Sequence, residues 1–114
     1  MKEKAQNPMG VAHNMLAAGT LVKGNIIAEE DFRIDGKAEG QIECAGKLVI
    51  GPQAEVIGNI HCQNIDLVGK VNGNIVVRDL LSIKASGVFT GEIIATRLEI
   101  EAGSVINGNV KMQA

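Results

Sequence analysis

A short motif, in which a glycine is followed two residues later by Ile or Val, recurs along almost the whole chain. Its copies are Gly24-Asn25-Ile26, Gly40-Gln41-Ile42, Gly58-Asn59-Ile60, Gly73-Asn74-Ile75, Gly91-Glu92-Ile93 and Gly108-Asn109-Val110. The intervals between successive glycines are 16, 18, 15, 18 and 17 residues. A near-constant interval of this kind indicates an internal repeat, and a repeat decides the architecture of the fold.

Apolar residues recur at nearly fixed positions relative to these glycines. The position two residues before the glycine holds Val22, Ala38, Val56, Val71, Phe89 and Ile106. Pairs of apolar residues seven to ten positions after the glycine are Phe32/Ile34, Leu48/Ile50, Ile65/Leu67, Leu81/Ile83 and Leu98/Ile100. These positions alternate with mostly polar ones, which is the pattern of half-buried strands. A unit of about 17 residues has room for short strands and no useful helix, so the pattern predicts an all-β parallel solenoid of about six rungs.

Composition narrows the function classes. The chain has 114 residues, enough for one domain, and its aromatic residues are Phe32 and Phe89 alone. Its net charge is −2 and its cations are scattered singly, so we expect no nucleic acid as a partner. The segment 40–48 superficially resembles a phosphate loop, but it has five residues between its glycines and Leu48 in place of Ser or Thr, so we expect no nucleotide either. The first residues lack the apolar run of a secretory signal, and no stretch approaches about 20 apolar residues. We therefore expect a cytoplasmic protein with reduced thiols.

The two ends of the predicted solenoid have no evident cap. Each end of such a coil presents unpaired backbone N–H and C=O groups, which template pairing with another chain unless they are covered. We expect residues 1–18 to form a flexible tail, residues 19–112 the β-helix and residues 113–114 a short C-terminal extension. The ends would then be covered by further copies of the chain, giving a homopolymer. A monomer with blunted ends, acting as an adaptor, stays open.

The expected polymer contacts are the apolar residues of the first and last rungs. At the N-terminal end these are Val22, Ile26, Phe32 and Ile34. At the C-terminal end they are Val105, Ile106, Val110 and Met112.

The repeated Val-x-Gly-x-Ile unit, the six-rung coil and the segment Gly19-Thr20-Leu21-Val22-Lys23-Gly24-Asn25-Ile26 resemble the bactofilins, bacterial cytoskeletal proteins with a polymer-forming domain. The similarity runs from about Gly19 to Met112. It implies a right-handed parallel β-helix that assembles head to head and tail to tail into non-polar filaments without nucleotide. It also implies a non-enzymatic scaffold for cell-wall hydrolases or synthases, located at the inner face of the cytoplasmic membrane and influencing cell shape.

The tail offers a candidate membrane contact, for which the resemblance gives the precedent. Its apolar and cationic residues are Met1, Lys2, Lys4, Met9, Val11, Met15 and Leu16. Each cation near an anionic surface contributes about 1 kcal/mol, and repetition along a filament would multiply these weak contacts. A tail without lipid contact is an equal alternative.

Enzyme classes fit less well. The left-handed β-helix of hexapeptide acyltransferases also coils at about 18 residues, but intervals of 15, 16 and 17 residues break its six-residue period. Such an enzyme also needs a catalytic His on a long side loop. A solenoid carbonic anhydrase needs three zinc-binding His, whereas this chain has His13 and His61. We expect no catalytic, cofactor-binding or metal-binding residues.

Other polar and sulfur-containing positions have structural interpretations. Cys44 and Cys62 share one repeat position, so we expect them to stack in the core while His61 points outward. The residues that follow the glycines, mostly Asn, predict a ladder of side-chain amides. The outward positions Ile27, Val76 and Ile94 suggest a modest apolar surface for a partner or for lateral filament contact.

Overall fold

The computed structural model describes residues 14–113, and every regular element in that range is a β-strand. The strands are β1 (Asn14–Leu16), β2 (Leu21–Ala28), β3 (Phe32–Ile34), β4 (Lys37–Ile50), β5 (Glu55–Leu67), β6 (Lys70–Ile83), β7 (Val88–Ile100) and β8 (Val105–Met112). They form one continuous sheet in which every pairing is parallel. The predicted parallel β-solenoid of about six turns is confirmed.

The ladder stacks the repeat motifs in register. Gly40 pairs with Gly24 on one side and with Gly58 on the other, and the same column continues to Gly108. The unequal repeat intervals are absorbed elsewhere, at register shifts that follow Cys44, Cys62 and Val77, and in the turns between strands. Strand segments therefore keep a constant register, and the corners take up the differences in length.

The glycine column forms one corner of the coil. Its members have φ values between 130° and 143°, a backbone conformation that side chains with a Cβ rarely adopt. A Cβ on any of them from Gly40 to Gly108 would also overlap the backbone of the glycine in the preceding rung. Both the dihedral angle and the close approach require glycine at this corner.

The core is a set of apolar columns that run along the axis of the coil. One column contains Ile42, Ile60, Ile75 and Ile93, all buried, and Phe89 fills the neighbouring column without any exposed area. Strand segments surround the interior on every side and make it narrow. It is therefore filled by β-branched and small residues. The apolar interior thus follows the repeat positions read from the sequence.

Polar contacts on the outside also link one rung to the next. Lys47 Nζ lies 2.9 Å from Asp66 Oδ2, and the Asn74 amide donates to Asn59 Oδ1 at 3.2 Å. The predicted amide ladder is therefore formed between these two rungs. Such exposed contacts each contribute little to stability, so burial of the apolar columns dominates.

The described residues contain neither a metal-binding cluster nor a membrane-spanning helix. Within residues 14–113, no group of three His, Cys, Asp or Glu side chains could hold a metal ion. Over the same range, no helix has the length and apolar character required to cross a membrane.

Candidate functional site at the two ends of the solenoid

The N-terminal end begins with β1, which lies on the outer edge of β3. Leu16 pairs with Ile34, and the Asp35 amide donates to the Leu16 carbonyl at 2.7 Å. The next strand, β2, pairs with β4 on one side, and among residues 14–113 no strand lies on its other side. The described coil therefore includes Asn14–Leu16, which lie inside the segment expected to be a tail.

Most of the residues predicted for the N-terminal end lie at its surface. Val22, Ile26 and Phe32 are half-buried, and the last two pack against the core. Ile34, however, has an exposed fraction of 0%, because Leu16 lies over it in the ladder. The expectation that Ile34 contributes to the end surface is therefore corrected, and Leu16 takes its place.

The C-terminal end is formed by β8 and by the last residues of β7. β8 covers β7 only from Val88 to Ala95, and the Gln113 amide extends this pairing by donating to the Ala95 carbonyl at 2.8 Å. Residues 97–100 of β7 pair with β6, but within the described chain nothing lies on their outer edge. This end also presents a free ladder edge.

The predicted residues of the C-terminal end are at its surface. Val105, Val110 and Met112 are exposed, and Ile106 is half-buried against the core. The first of these, Val105, lies at an outward position of β8, whereas the other three continue inward columns.

Two further residues of this end were not predicted. Leu98 is half-buried and Ile100 has an exposed fraction of 51%, although both occupy inward columns. The sequence could have indicated them, because the repeat that begins at Val105 has no second apolar pair. Among residues 14–113, no residue therefore lies above Leu98 or Ile100 in its column.

Exposure changes sharply along each apolar column. In the column that ends with Ile100, the interior residues Ile34, Ile50, Leu67 and Ile83 all have an exposed fraction of 0%. The column is thus completely covered until its last member. Each end combines exposed apolar side chains with unpaired backbone groups, which is the chemistry that favours addition of another strand.

Both ends are stepped. The described coil opens with only the third segment of a rung, β1, and closes with only the first two segments, in β8. Each end therefore follows the spiral of the coil, with a step of one strand spacing, about 4.8 Å.

The candidate membrane residues divide into two groups. Met1, Lys2, Lys4, Met9 and Val11 lie outside the described residues. Met15 and Leu16 lie in β1, where successive side chains point to opposite faces. Met15 is exposed, whereas Leu16 is half-buried and packs against the core.

The two thiols stack inside the coil, as their repeat positions predict. Cys44 and Cys62 are ladder partners, both are buried, and the Cys44 thiol donates to the Glu30 carbonyl at 3.2 Å. Burial raises the pKa of Cys62 to about 12 and also raises the pKa of Cys44. Both side chains are therefore protonated at neutral pH and are poor nucleophiles.

Comparisons with known proteins agree with this architecture. Residues 14–111 match the family model described as "Bactofilin: Polymer-forming cytoskeletal". The chain is 31% identical over 102 residues to bactofilin BacO of Myxococcus xanthus (strain DK1622), covering 90% of this chain and 81% of that relative. It is 28% identical over 102 residues to bactofilin BacP of the same organism, covering 90% of this chain and 42% of BacP.

A solved structure is also similar. It is the cryo-EM reconstruction of Thermus thermophilus bactofilin double helical filaments, with a TM-score of 0.78 and 27% identity, covering 85% of this chain and 98% of that chain. The residues that match the family model run from the first residue of β1 to the last but one of β8, so they include almost the whole described coil. This chain belongs to the bactofilin family of polymer-forming cytoskeletal proteins.

Proposed function

We propose that this chain polymerises end to end into a cytoskeletal filament, using the two apolar ends of the solenoid as its interfaces. The observation that carries the proposal is the abrupt exposure of the apolar columns at the points where the ladder loses its partner strands. A second copy placed there would bury these side chains and pair the free backbone groups in one contact.

The two interfaces differ in their residues. The N-terminal interface would use Val22, Ile26 and Phe32 together with Leu16, in the place first expected for Ile34. The C-terminal interface would use the exposed residues of β8, extended by Leu98 and Ile100. If like ends meet, the same surface contacts itself, so each contact would be isologous and the filament would be non-polar. The family resemblance is what supports this arrangement.

Assembly would need no nucleotide. The segment 40–48, whose glycines superficially resemble those of a phosphate-binding loop, lies within β4 and is part of the ladder. Residues 40–44 and 47–48 pair with β5, and the Lys47 amide donates to Asp31 Oδ1 at 2.9 Å, so the segment does not form the free cradle that a phosphate requires. Burial of apolar surface is a sufficient driving force for a static filament.

We propose the wider role from the family resemblance. The filament would lie at the inner face of the cytoplasmic membrane, held by residues 1–13, and would organise cell-wall hydrolases or synthases and thereby cell shape. The support is the pair of cations, Lys2 and Lys4, repeated once in every subunit. Cosedimentation of filaments with anionic but not neutral phosphatidylcholine vesicles, lost on deletion of residues 1–13, would support it. Equal binding by the deletion variant would contradict it.

Electron microscopy of the purified full chain without nucleotide tests the central proposal. We expect filaments from the wild type and nothing larger than dimers from Val110→Arg, because the new charge would be buried against the neighbouring subunit and only the N-terminal contact would remain. Asn72→Arg is the matched control, since Asn72 is exposed on a middle rung, and we expect it to polymerise.

Two outcomes would contradict end-to-end assembly through these surfaces. A wild type that stays monodisperse at high concentration would exclude polymerisation and favour a monomeric adaptor. Filaments formed equally by Val110→Arg would show that the interface does not include the C-terminal rung.

A further inference from the structure

One outward column of the solenoid contains the most exposed large apolar residue together with charges of both signs. The ladder stacks Ile27, Glu43, His61, Val76, Ile94 and Lys111 one above another, one per rung. We call this set the lateral column. Ile27 has an exposed fraction of 74%, the highest among the exposed large apolar residues of residues 14–113.

A shallow groove of about 320 Å³ runs beside the N-terminal part of this column, from Ile27 to Val76. Ile27, Glu43, His61 and Val76 line it from the column, and Arg78 lines it from the adjacent corner. The groove thus extends over several rungs, parallel to the axis along which the chain is proposed to polymerise. A surface repeated along that axis suits a partner that is also elongated.

We infer that two copies of this chain pair side by side through the lateral column, running in opposite directions with Val76 on the two-fold axis. The inference rests on the proposed end-to-end assembly, because a filament repeats the surface and so multiplies a weak contact. The relative from Thermus thermophilus has been reconstructed as double helical filaments, which is a precedent for pairing of two filaments.

The charge pattern selects the direction of pairing. In a parallel, in-register pair, Glu43 would face the partner's Glu43 and Lys111 would face the partner's Lys111, and both contacts are repulsive. In the antiparallel pair, symmetry about Val76 reverses this, because Glu43 lies two rungs before Val76 and Lys111 lies two rungs after it. Each charge is therefore about 9.6 Å from Val76 along the axis.

The antiparallel setting gives complementary contacts along the column. Glu43 faces the partner's Lys111 at both ends of the contact, and Val76 faces its own copy at the centre. His61 lies at the level of the partner's Ile94, which therefore meets the groove beside His61. Charged pairs thus flank an apolar centre, which is the usual arrangement of a specific interface.

Several charges of the neighbouring outward columns are paired within the chain. Lys37 Nζ lies 3.6 Å from Glu55 Oε1, and Lys23 lies 4.0 Å from Glu39. Within residues 14–113, by contrast, neither Glu43 nor Lys111 has an ion-pair partner. Their charges are therefore available to a second copy.

Charge reversal and its rescue test the inference by electron microscopy of full-chain filaments. We expect the wild type to form paired filaments and Glu43→Lys, on an inner rung, to give single filaments of normal length. Lys111→Glu should also give unpaired filaments, whatever their length, because Lys111 lies on the terminal rung. The double variant Glu43→Lys/Lys111→Glu should restore the pairs, because it restores opposite charges. Thr90→Lys, which adds a cation to a different outward column, is the control and should keep the pairs.

Pairs that persist in both single variants, or that fail to return in the double variant, would overturn the inference. A wild type that forms only single filaments would also overturn it while leaving end-to-end assembly intact. A wild type without any filaments would instead refute the proposed function, and the side-by-side pairing with it.

Discussion

Gly58 lies directly over Gly40, and a Cβ on Gly58 would overlap the carbonyl oxygen of Gly40. The same relationship holds for each glycine of the corner column except Gly24, around which a Cβ would meet nothing within 4 Å. Backbone contact between glycines therefore sets how closely rungs approach. Gly24 is open because it belongs to the first glycine motif, at the free N-terminal edge.

We predict that alanine at these two glycines has unequal effects on stability. Gly24→Ala introduces only an unfavourable positive φ, at a cost of about 1–3 kcal/mol, whereas Gly58→Ala adds the backbone overlap. The Gly58 variant should therefore lose at least about 2 kcal/mol more. Urea unfolding in a Val110→Arg background, which prevents polymerisation, measures both at one protein concentration. Equal losses would show that the rungs separate easily.

We predict that Ile100→Arg abolishes polymerisation although Ile100 lies outside the last rung. Its side chain is the exposed end of a completely buried column, so a charge there would be left uncompensated in the contact. Sedimentation velocity should show nothing larger than a dimer, with the far-ultraviolet circular dichroism of the wild type. Sedimentation of Asn72→Arg as polymer serves as the control. Polymer in both variants would confine the interface to β8.

We predict that truncation of Ile75 is far more costly than truncation of Ile57. Ile75 is fully buried in the interior of its column, so Ile75→Ala should lower the free energy of unfolding by about 2–5 kcal/mol. Ile57 has an exposed fraction of 44%, so Ile57→Ala should cost less than about 1 kcal/mol. Urea unfolding of both variants in the Val110→Arg background compares the two losses. Similar values would mean that the columns are loosely packed.

We predict that stability falls at alkaline pH because of the buried thiol of Cys62. Its pKa is raised by burial from 9.0 to about 12. The stabilising contribution is therefore complete below pH 9, where both states are protonated, and is lost as the pH rises through this window. Between these values only the unfolded thiol ionises, so the free energy of unfolding should decrease by about 1.4 kcal/mol per pH unit.

The control for this pH dependence is Cys62→Ala, since Ala28 and Ala95 occupy the same column. Denaturation measured at steps across this range should give a steeper decline for the wild type than for the variant. Parallel curves would show that the thiol is accessible to hydroxide in the folded state.

The sequence was sufficient to predict the solenoid because the physical constraints repeat. Each rung needs a glycine at the same corner and apolar residues at the same inward positions, so Gly58 and Ile60 are read together with their equivalents. The register of the whole ladder follows from that alignment. A fold with a single copy of each constraint would not be visible in this way.

The N-terminal strand could not be predicted by the same argument. Asn14–Leu16 has no glycine motif and contributes one inward apolar residue, Leu16, so its place depends on backbone hydrogen bonds to β3. Ile34 was consequently assigned to the end surface and is instead buried. The residues expected to contact lipid before Asn14 lie outside the described chain, and that expectation stays a prediction.

The stepped ends constrain how molecules can be joined. Two flat ends could meet at any angle about their common axis. Two stepped ends fit only where the higher part of one end meets the lower part of the other. In the proposed filament, the edges of β1 and β8 would therefore limit the rotational setting between neighbouring subunits. The helical twist would then depend on the positions of these edges, so lengthening or shortening β8 by a few residues should change the pitch of the filament before it changes the fold.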